Sequence, residues 1–412
     1  MSSRGGVYGL RDFRLLWAAQ AVSALGSRIT RTALPVMAVL TIDSTPLGLA
    51  LLSVLQVAPA VLVALVAGGF IDRSRKRPIL VAADLVRAAA VVTIPIAALA
   101  GALTLAHLFA VGAVVGAASA LFAITDNAYL PALIGREQLV QGNTVIEATQ
   151  SVAEVAGPGV AGVLIQILSA PFAVLFDVVS YLGSAALLGA IRQHEQPAET
   201  GPSPGVWRDL VTGFRASWDH PLVRPLLLAQ SVAFFFGGFF MALYMLFTLD
   251  VLGLQPATVG MVIAMGGVGA LLGALASSSM TRRLGLGRAL FATLALASLG
   301  GVLIPAASGP TWVVLLCLFV HQLMSDGFST AFSVQAVSLR QSVLPLEVLG
   351  RSNAAFQALT GGMLPLGALT AGALAHLFDV RTSLWIGMSC SLLAPSLLLP
   401  LWRVRALSSP PP

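Results

Sequence analysis

Apolar residues run along this chain in long blocks separated by short polar breaks, from near its start to near its end. A helix that crosses the hydrocarbon of a bilayer needs about 20 mostly apolar residues, and blocks of that length recur throughout. The pattern predicts twelve helices, at 13–42, 47–71, 79–100, 103–128, 142–168, 171–191, 223–250, 256–281, 288–308, 311–339, 352–378 and 381–404. Strands of a membrane barrel would alternate polar and apolar residues with period two, and these blocks do not. Breaks such as Asp43-Ser44-Thr45-Pro46 and Ala307-Ser308-Gly309-Pro310 carry turn chemistry. The expected fold class is an all-α membrane protein.

The break from Gly68 to Leu80 is the most informative. Asp72-Arg73-Ser74-Arg75-Lys76-Arg77 packs one acid and four bases between two apolar blocks. At the bilayer centre each would cost roughly 2.5–3.5 kcal/mol, so the segment is a tight turn between helices. Its bases place it on the cytoplasmic side, which fixes every other break. Of the 23 Lys and Arg residues, all but Arg28, Arg31, Arg87 and Arg381 then fall on the cytoplasmic side, as the positive-inside bias requires. Both termini are expected in the cytoplasm. The start, Met1 to Arg14, is polar and basic and leads into a block too long for a signal core, so the first span is expected to stay.

Composition sharpens this picture. Of 412 residues, 57% are hydrophobic and 10% charged, with a mean hydropathy of +0.90; ordinary globular chains carry about 25% charge. The net charge of +6 is dispersed at helix ends, which argues for membrane lipids and against nucleic acid as the partner. Cys317 and Cys390 fall inside predicted helices, so neither a disulfide framework nor a metal site is expected. Phosphate loops and HExxH are missing from the sequence, so neither an enzyme nor a cofactor is expected.

Two six-helix units emerge from a repeat. An offset of 210 residues pairs Gln20 with Gln230, Pro46 with Pro256, Arg73 with Arg283, Asn143 with Asn353, Gly157 with Gly367 and Gly162 with Gly372. Residues 1–191 and 223–412 are therefore expected to form two pseudo-symmetric six-helix bundles. The polar stretch 192–222 would be a cytoplasmic linker, with a short surface helix between Trp207 and Trp218. Asp72 has no counterpart: Arg282 stands in its register.

The spacing Gly68-x-x-x-Asp72-Arg73-x-x-Lys76-Arg77 resembles the loop signature of the major facilitator superfamily of secondary transporters, with Arg75 where that family usually has a second glycine. Asp84-Leu85-Val86-Arg87-Ala88 and Leu349-Gly350-Arg351-Ser352-Asn353-Ala354 are similar to segments of its drug, macrolide and siderophore exporter branch. Gly157-Pro158-Gly159-Val160-Ala161-Gly162, echoed at Leu364 to Gly372, resembles the glycine-proline motif that exporters carry in the fifth span. Read from the residues alone, the same motif is a helix-packing device. The resemblance implies a gating loop of Gly68, Asp72, Arg73, Lys76 and Arg77, in which Asp72 and Arg351 form a latch at the amino end of the eleventh helix.

Ionisable groups inside the spans are expensive and face a cavity or a partner. Arg28 and Arg31 share one face of the first helix, Glu147 and Glu154 one face of the fifth. The first, fourth, seventh and tenth helices line the central cavity in the resembled family. That implies Arg28, Arg31, Asp126, Gln230, Phe236, His321, Gln322 and Asp326 as substrate-cavity residues. Each has a structural alternative, such as an ion pair of Arg28 or Arg31 with Glu154. Glu154 and Asp326 are the candidates for proton coupling. Phe234, Phe235, Phe236, Phe239, Phe240 and Tyr244, with Met241 and Met245, would give the seventh helix an adaptable apolar wall.

The expected function is a monomeric secondary exporter of small amphipathic, drug-like compounds in a bacterial inner membrane, driven by proton exchange. The mid-membrane arginines favour an anionic siderophore or lysophospholipid as the alternative substrate. A transporter-like sensor without flux is the alternative from another class.

Overall fold

The computed structural model describes residues 7–134, 138–192 and 206–404; for 64–70, 72, 73, 132, 206–209, 346 and 347 it describes the backbone alone. Gly68, Asp72 and Arg73 of the expected gating loop, and the latch built on Asp72, lie outside the described side chains.

Every regular element among the described residues is helical. In chain order they are α1 (Arg11–Leu40), α2 (Pro46–Arg73), α3 (Lys76–Leu99), α4 (Leu105–Ile134), α5 (Leu139–Leu168), α6 (Ala170–Ala173), α7 (Leu175–Gly189), α8 (Val206–Asp219), α9 (Val223–Leu246), α10 (Pro256–Leu284), α11 (Leu286–Ala306), α12 (Thr311–Val343), α13 (Leu346–Leu377) and α14 (Val380–Ser391). Proline opens α2 and α10, where its missing N–H breaks no helical bond. Gly285, with φ +80°, makes the one-residue turn from α10 to α11, a conformation glycine adopts without strain.

Three expected helices are more broken than their apolar pattern indicates. The 171–191 segment divides into α6 and α7, entered through Ser169 at φ +68°. α9 ends in a π-turn at Phe247–Val251. The last segment is α-helical to Ser391 and then a 3-10 helix over Ala394–Leu401, because Pro395 and Pro400 supply no N–H to an i→i−4 ladder. Eleven of the described helical segments are long and apolar enough to cross a membrane. α1 is not among them: its 30 residues span about 45 Å, but Gln20, Arg28 and Arg31 dilute its hydropathy.

The chain divides into two compact units. The first holds α1, α2 from Val54 onward, α3 to α7 and the start of α10 up to Met261. The second holds the start of α2 up to Ser53, α8, α9, the rest of α10 and α11 to α14. Each has its own apolar core. The first gathers Phe13, Leu16, Ala19, Leu80, Phe122, Tyr129, Ile134, Leu188 and Ile191. The second gathers Val223, Leu226, Ala229, Leu290, Phe332, Leu339, Leu344, Leu398 and Leu401. Residue by residue, in the order given, the two sets stand at the 210-residue offset read from the sequence.

The repeat extends to close helix contacts. In the first unit a Cβ on Gly162 would meet the Pro256 carbonyl oxygen at 2.5 Å and the Cα atoms of Ala257 and Gly260. In the second, a Cβ on Gly372 would meet Ala50 Cβ at 2.6 Å, the Pro46 oxygen and Leu47 Cα. All four residue pairs are related by the same offset.

Candidate functional site

A repeat supplies its own control, because positions needed only for packing stay apolar in both units. Polar residues that stand where the other unit is apolar are the ones packing does not explain.

In the first unit Arg28 on α1 donates to Glu154 Oε1 on α5 at 3.0 Å. Gly157 makes room for the arginine stem: a Cβ there would lie 2.5 Å from Arg28 Cβ. The equivalent crossing in the second unit has Gly238, Leu364 and Gly367, and a Cβ on Gly238 would run into the α13 backbone. One crossing is backbone on backbone, the other is held open by an ion pair. The pair is not a buried lock, since the Glu154 side chain is 62% exposed and the Arg28 side chain 22%. One turn on, Arg31 is exposed, with Arg28, Glu154 and Tyr181 as its electrostatic neighbours. Two guanidiniums and one carboxylate leave this patch cationic. Its counterparts in the second unit are Gly238, Met241 and Leu364.

Below it, Gln20 Nε2 donates to Asp126 Oδ1 at 2.7 Å, so Asp126 ties α1 to α4. Of the motif, Pro158 and Gly162 lie against the start of α10, where Gln166 Oε1 also accepts from the Ala257 N–H at 3.3 Å, while Gly157 faces Arg28. From the first turn of α3, Arg77 donates through Nε to the Leu188 carbonyl at 3.0 Å and through a terminal nitrogen to Gly189. A cation thus caps the carboxyl end of α7, where free carbonyls and the helix dipole both favour it. Lys76, its neighbour, opens α3.

The sequence reading left one group in the first unit unassembled. Asp84 and Arg87 on α3 form a buried ion pair. The Arg87 guanidinium lies between the rings of Phe122 (4.5 Å) and Tyr181 (4.4 Å). Next to it the wholly buried Asp177 on α7 accepts from Thr30 and from Ser180 at 2.9 Å. Extending the offset to individual polar residues would have flagged these positions, because Leu294, Ala297 and Gly387 stand in their places.

In the second unit His321 is 4% exposed. Its Nδ1 pairs with the Gly300 carbonyl at 3.0 Å and with Ser325 at 3.2 Å. Its Nε2 and the Tyr244 hydroxyl have no hydrogen-bond partner among the described residues, and both rings pack with Phe240. Asp326 is electrostatically coupled to Tyr244 and its carboxylate fills the space a side chain on Gly266 would need. Gln322 is buried, and Gln230 keeps a buried Oε1 without a partner among the described residues. Phe236 is half-buried in a cluster with Phe235 (5.2 Å) and Phe239 (5.8 Å). Arg351, at the start of α13, presents its backbone to Gly213 of α8, and Ser217 pairs with Ser352 at 2.7 Å. The expected surface helix is thus docked on α13.

None of these groups resembles a metal centre: no cluster of three or more His, Cys, Asp or Glu occurs among the described residues. They are polar islands in apolar bundles, suited to binding and ion exchange more than to bond chemistry.

A major facilitator family model described as "Transmembrane secretion effector" matches residues 8–410. The multidrug efflux pump Tap of Mycolicibacterium fortuitum is 26% identical over 378 residues, covering 88% of each chain. Among solved structures, a bacterial homologue of the iron transporter ferroportin in an inward-facing state superposes with a TM-score of 0.77 at 19% identity, covering 95% of this chain and 98% of the other. A bacterial homologue of the human lysosomal transporter Spinster gives 0.73 at 13% identity over 96% and 98%.

Proposed function

Since the chain belongs to the transmembrane secretion effector family of the major facilitator superfamily, we propose that this multi-pass membrane transporter exports small amphipathic compounds in exchange for protons. Tap, an efflux pump over most of its length alignable with this chain, supports the direction of transport. The observation that carries the substrate side is the open Arg28–Glu154 pair with Arg31 beside it, at positions that are Gly238, Leu364 and Met241 in the other unit. In this reading Arg28, Arg31, Asp126, Gln230, Phe236, His321, Gln322 and Asp326 contact substrate. Glu154 and Asp326 are available to exchange protons.

The architecture proposed with it is twelve spans, α1 included, in two pseudo-symmetric bundles, 1–191 and 223–412, joined by a cytoplasmic linker at 192–222. Both termini would face the cytoplasm of a bacterial cell, and the chain would act as a monomer. Matched core positions at a constant offset support the two-bundle reading.

The test uses the full chain in proteoliposomes with an imposed proton gradient and ethidium as the cationic amphipathic probe. Gradient-dependent ethidium movement with counterflow of protons is expected. Absence of movement of both ethidium and a lysophosphatidyl probe under either polarity of the gradient would overturn the transport reading in favour of a sensor without flux. The cationic patch favours a second reading, export of an anionic amphiphile. Faster movement of a lysophosphatidyl probe than of ethidium, lost in Arg31→Gln, would establish it.

A further inference from the structure

We propose that Asp177 is a proton-carrying carboxyl of this transporter, loaded and emptied through Tyr181 and Ser27. The proposal rests on the proton-exchange reading above and names a group that reading had not included.

The first ground is a charge count. Asp84 and Arg87 are paired through one oxygen and one nitrogen, while Asp84 Oδ2 and Arg87 Nε stay buried without a hydrogen-bond partner among the described residues; Arg87 is further held by two ring faces and by Ser119 at 3.5 Å. Asp177, 0% exposed, accepts from the hydroxyl groups of Thr30 and Ser180, with the Tyr181 hydroxyl as an electrostatic neighbour. Two buried carboxyls therefore share one guanidinium. A surplus buried charge costs several kcal/mol even after relaxation, and a proton on Asp177 removes the surplus. Of the elements packed around it, α1 presents Thr30, with Arg28 and Arg31 on the same helix. α3 presents Asp84 and Arg87, and α7 itself Ser180 and Tyr181. α4 presents the neutral Ser119 and Phe122 to Arg87.

The repeat provides the second ground. The second unit packs the same positions with Leu294 for Asp84, Ala297 for Arg87, Gly387 for Asp177 and Ser391 for Tyr181. Leu294 belongs to its apolar core. The fold is therefore built without these charges, and replacing buried ion groups by apolar ones is often neutral or stabilising. Their presence in one unit alone points to use, not packing.

The third ground is a path. The Tyr181 hydroxyl pairs with Ser27 at 3.0 Å, and Tyr181, one turn along α7 from Asp177, is its electrostatic neighbour. Ser27 is half-buried and one helical turn from the exposed Arg31. A proton arriving on the Arg31 side binds the Ser27 oxygen as that hydroxyl passes its own proton to the Tyr181 oxygen. Tyr181 in turn releases its proton to a carboxylate oxygen of Asp177. Each O–H bond broken is replaced by one formed, and the net change is one proton on the carboxyl. The reverse sequence empties it. Glu154, by contrast, is already paired with Arg28 and largely exposed.

The experiment uses infrared difference spectra of the full chain in lipid vesicles, recorded between acid and alkaline pH, together with proton uptake after a pH jump. A protonated-carboxyl C=O band is expected in the wild type, absent in Asp177→Asn and present in Glu154→Gln. Gradient-driven ethidium movement should be lost in Asp177→Asn while ethidium exchange at equal pH persists. Tyr181→Phe, which removes one oxygen and guards against a folding defect, should keep the band and slow proton uptake roughly tenfold or more. A band that survives Asp177→Asn, or Tyr181→Phe taking up protons at the wild-type rate, overturns the proposal. If neither ethidium nor the lysophosphatidyl probe moves in the wild type but the Asp177 band titrates as stated, the transport reading fails and the protonation site stands.

Discussion

At the scale of single residues, the informative comparison is between a side chain and its equivalent in the other unit. Arg28 and Glu154 stand opposite Gly238 and Leu364, so removing their charges should leave packing largely intact. Arg28→Gln and Glu154→Gln are expected to insert and fold normally and to lower gradient-driven transport by similar amounts. The double variant should be little worse than either one, since paired groups are not additive; transport assays on matched amounts of protein check this. Asp379, outside the spans, illustrates a purely structural acid. It caps α14, accepting from the Thr382 hydroxyl and from the Thr382 N–H at 2.9 Å, and those bonds hold its carboxyl below the usual carboxylate range. The stabilisation is complete above the ordinary aspartate range and is lost as pH falls through the depressed value. Thermal unfolding of Asp379→Ala in detergent should therefore differ from wild type at neutral pH, with the two converging in strong acid.

Helices meet in this protein through small residues whose importance depends on what faces them. Gly162 and Gly361 sit inside long helices, α5 and α13. A Cβ on Gly162 would strike the start of α10, whereas one on Gly361 meets nothing within 4 Å. Gly162→Ala is expected to destabilise by about 1–3 kcal/mol. Gly361→Ala should be neutral or stabilising, by up to about 1 kcal/mol from helix propensity. Melting in detergent distinguishes them. α8 obeys the same logic: Gly213 lies against the Arg351 backbone and Ser217 bonds Ser352. Gly213→Val should undock the helix, seen as faster amide exchange across 206–219. Its exposed side carries the stacked Phe214–Trp218 pair, with Arg224 over Trp218 at 4.6 Å. That combination suits the headgroup region of a bilayer.

For the whole molecule, the two units are not simple halves of the sequence, because the start of α2 groups with the second and the start of α10 with the first. A chain cut within 193–205 should regain transport only when both fragments are co-expressed, and each fragment alone should be unstable to proteolysis. A fluorescent protein fused after the last residue should mature, as a cytoplasmic terminus requires; an active alkaline phosphatase fusion there would overturn the proposed topology. The sequence by itself determined the membrane environment, the helical class and the repeat. These follow from composition, block length and a constant offset, which act locally along the chain and need no knowledge of neighbours. The family was equally legible, in Gly68 to Arg77 and in Gly157 to Gly162. The tertiary structure alone decided which intramembrane charges are paired. Arg28 chose Glu154 while Arg31 stayed exposed, and Asp177 came to lie beside the Asp84–Arg87 pair from at least ninety positions further along the chain. Whether a buried charge is balanced depends on groups brought within a few ångströms by packing, and hydropathy along one helix carries no record of what the next helix presents.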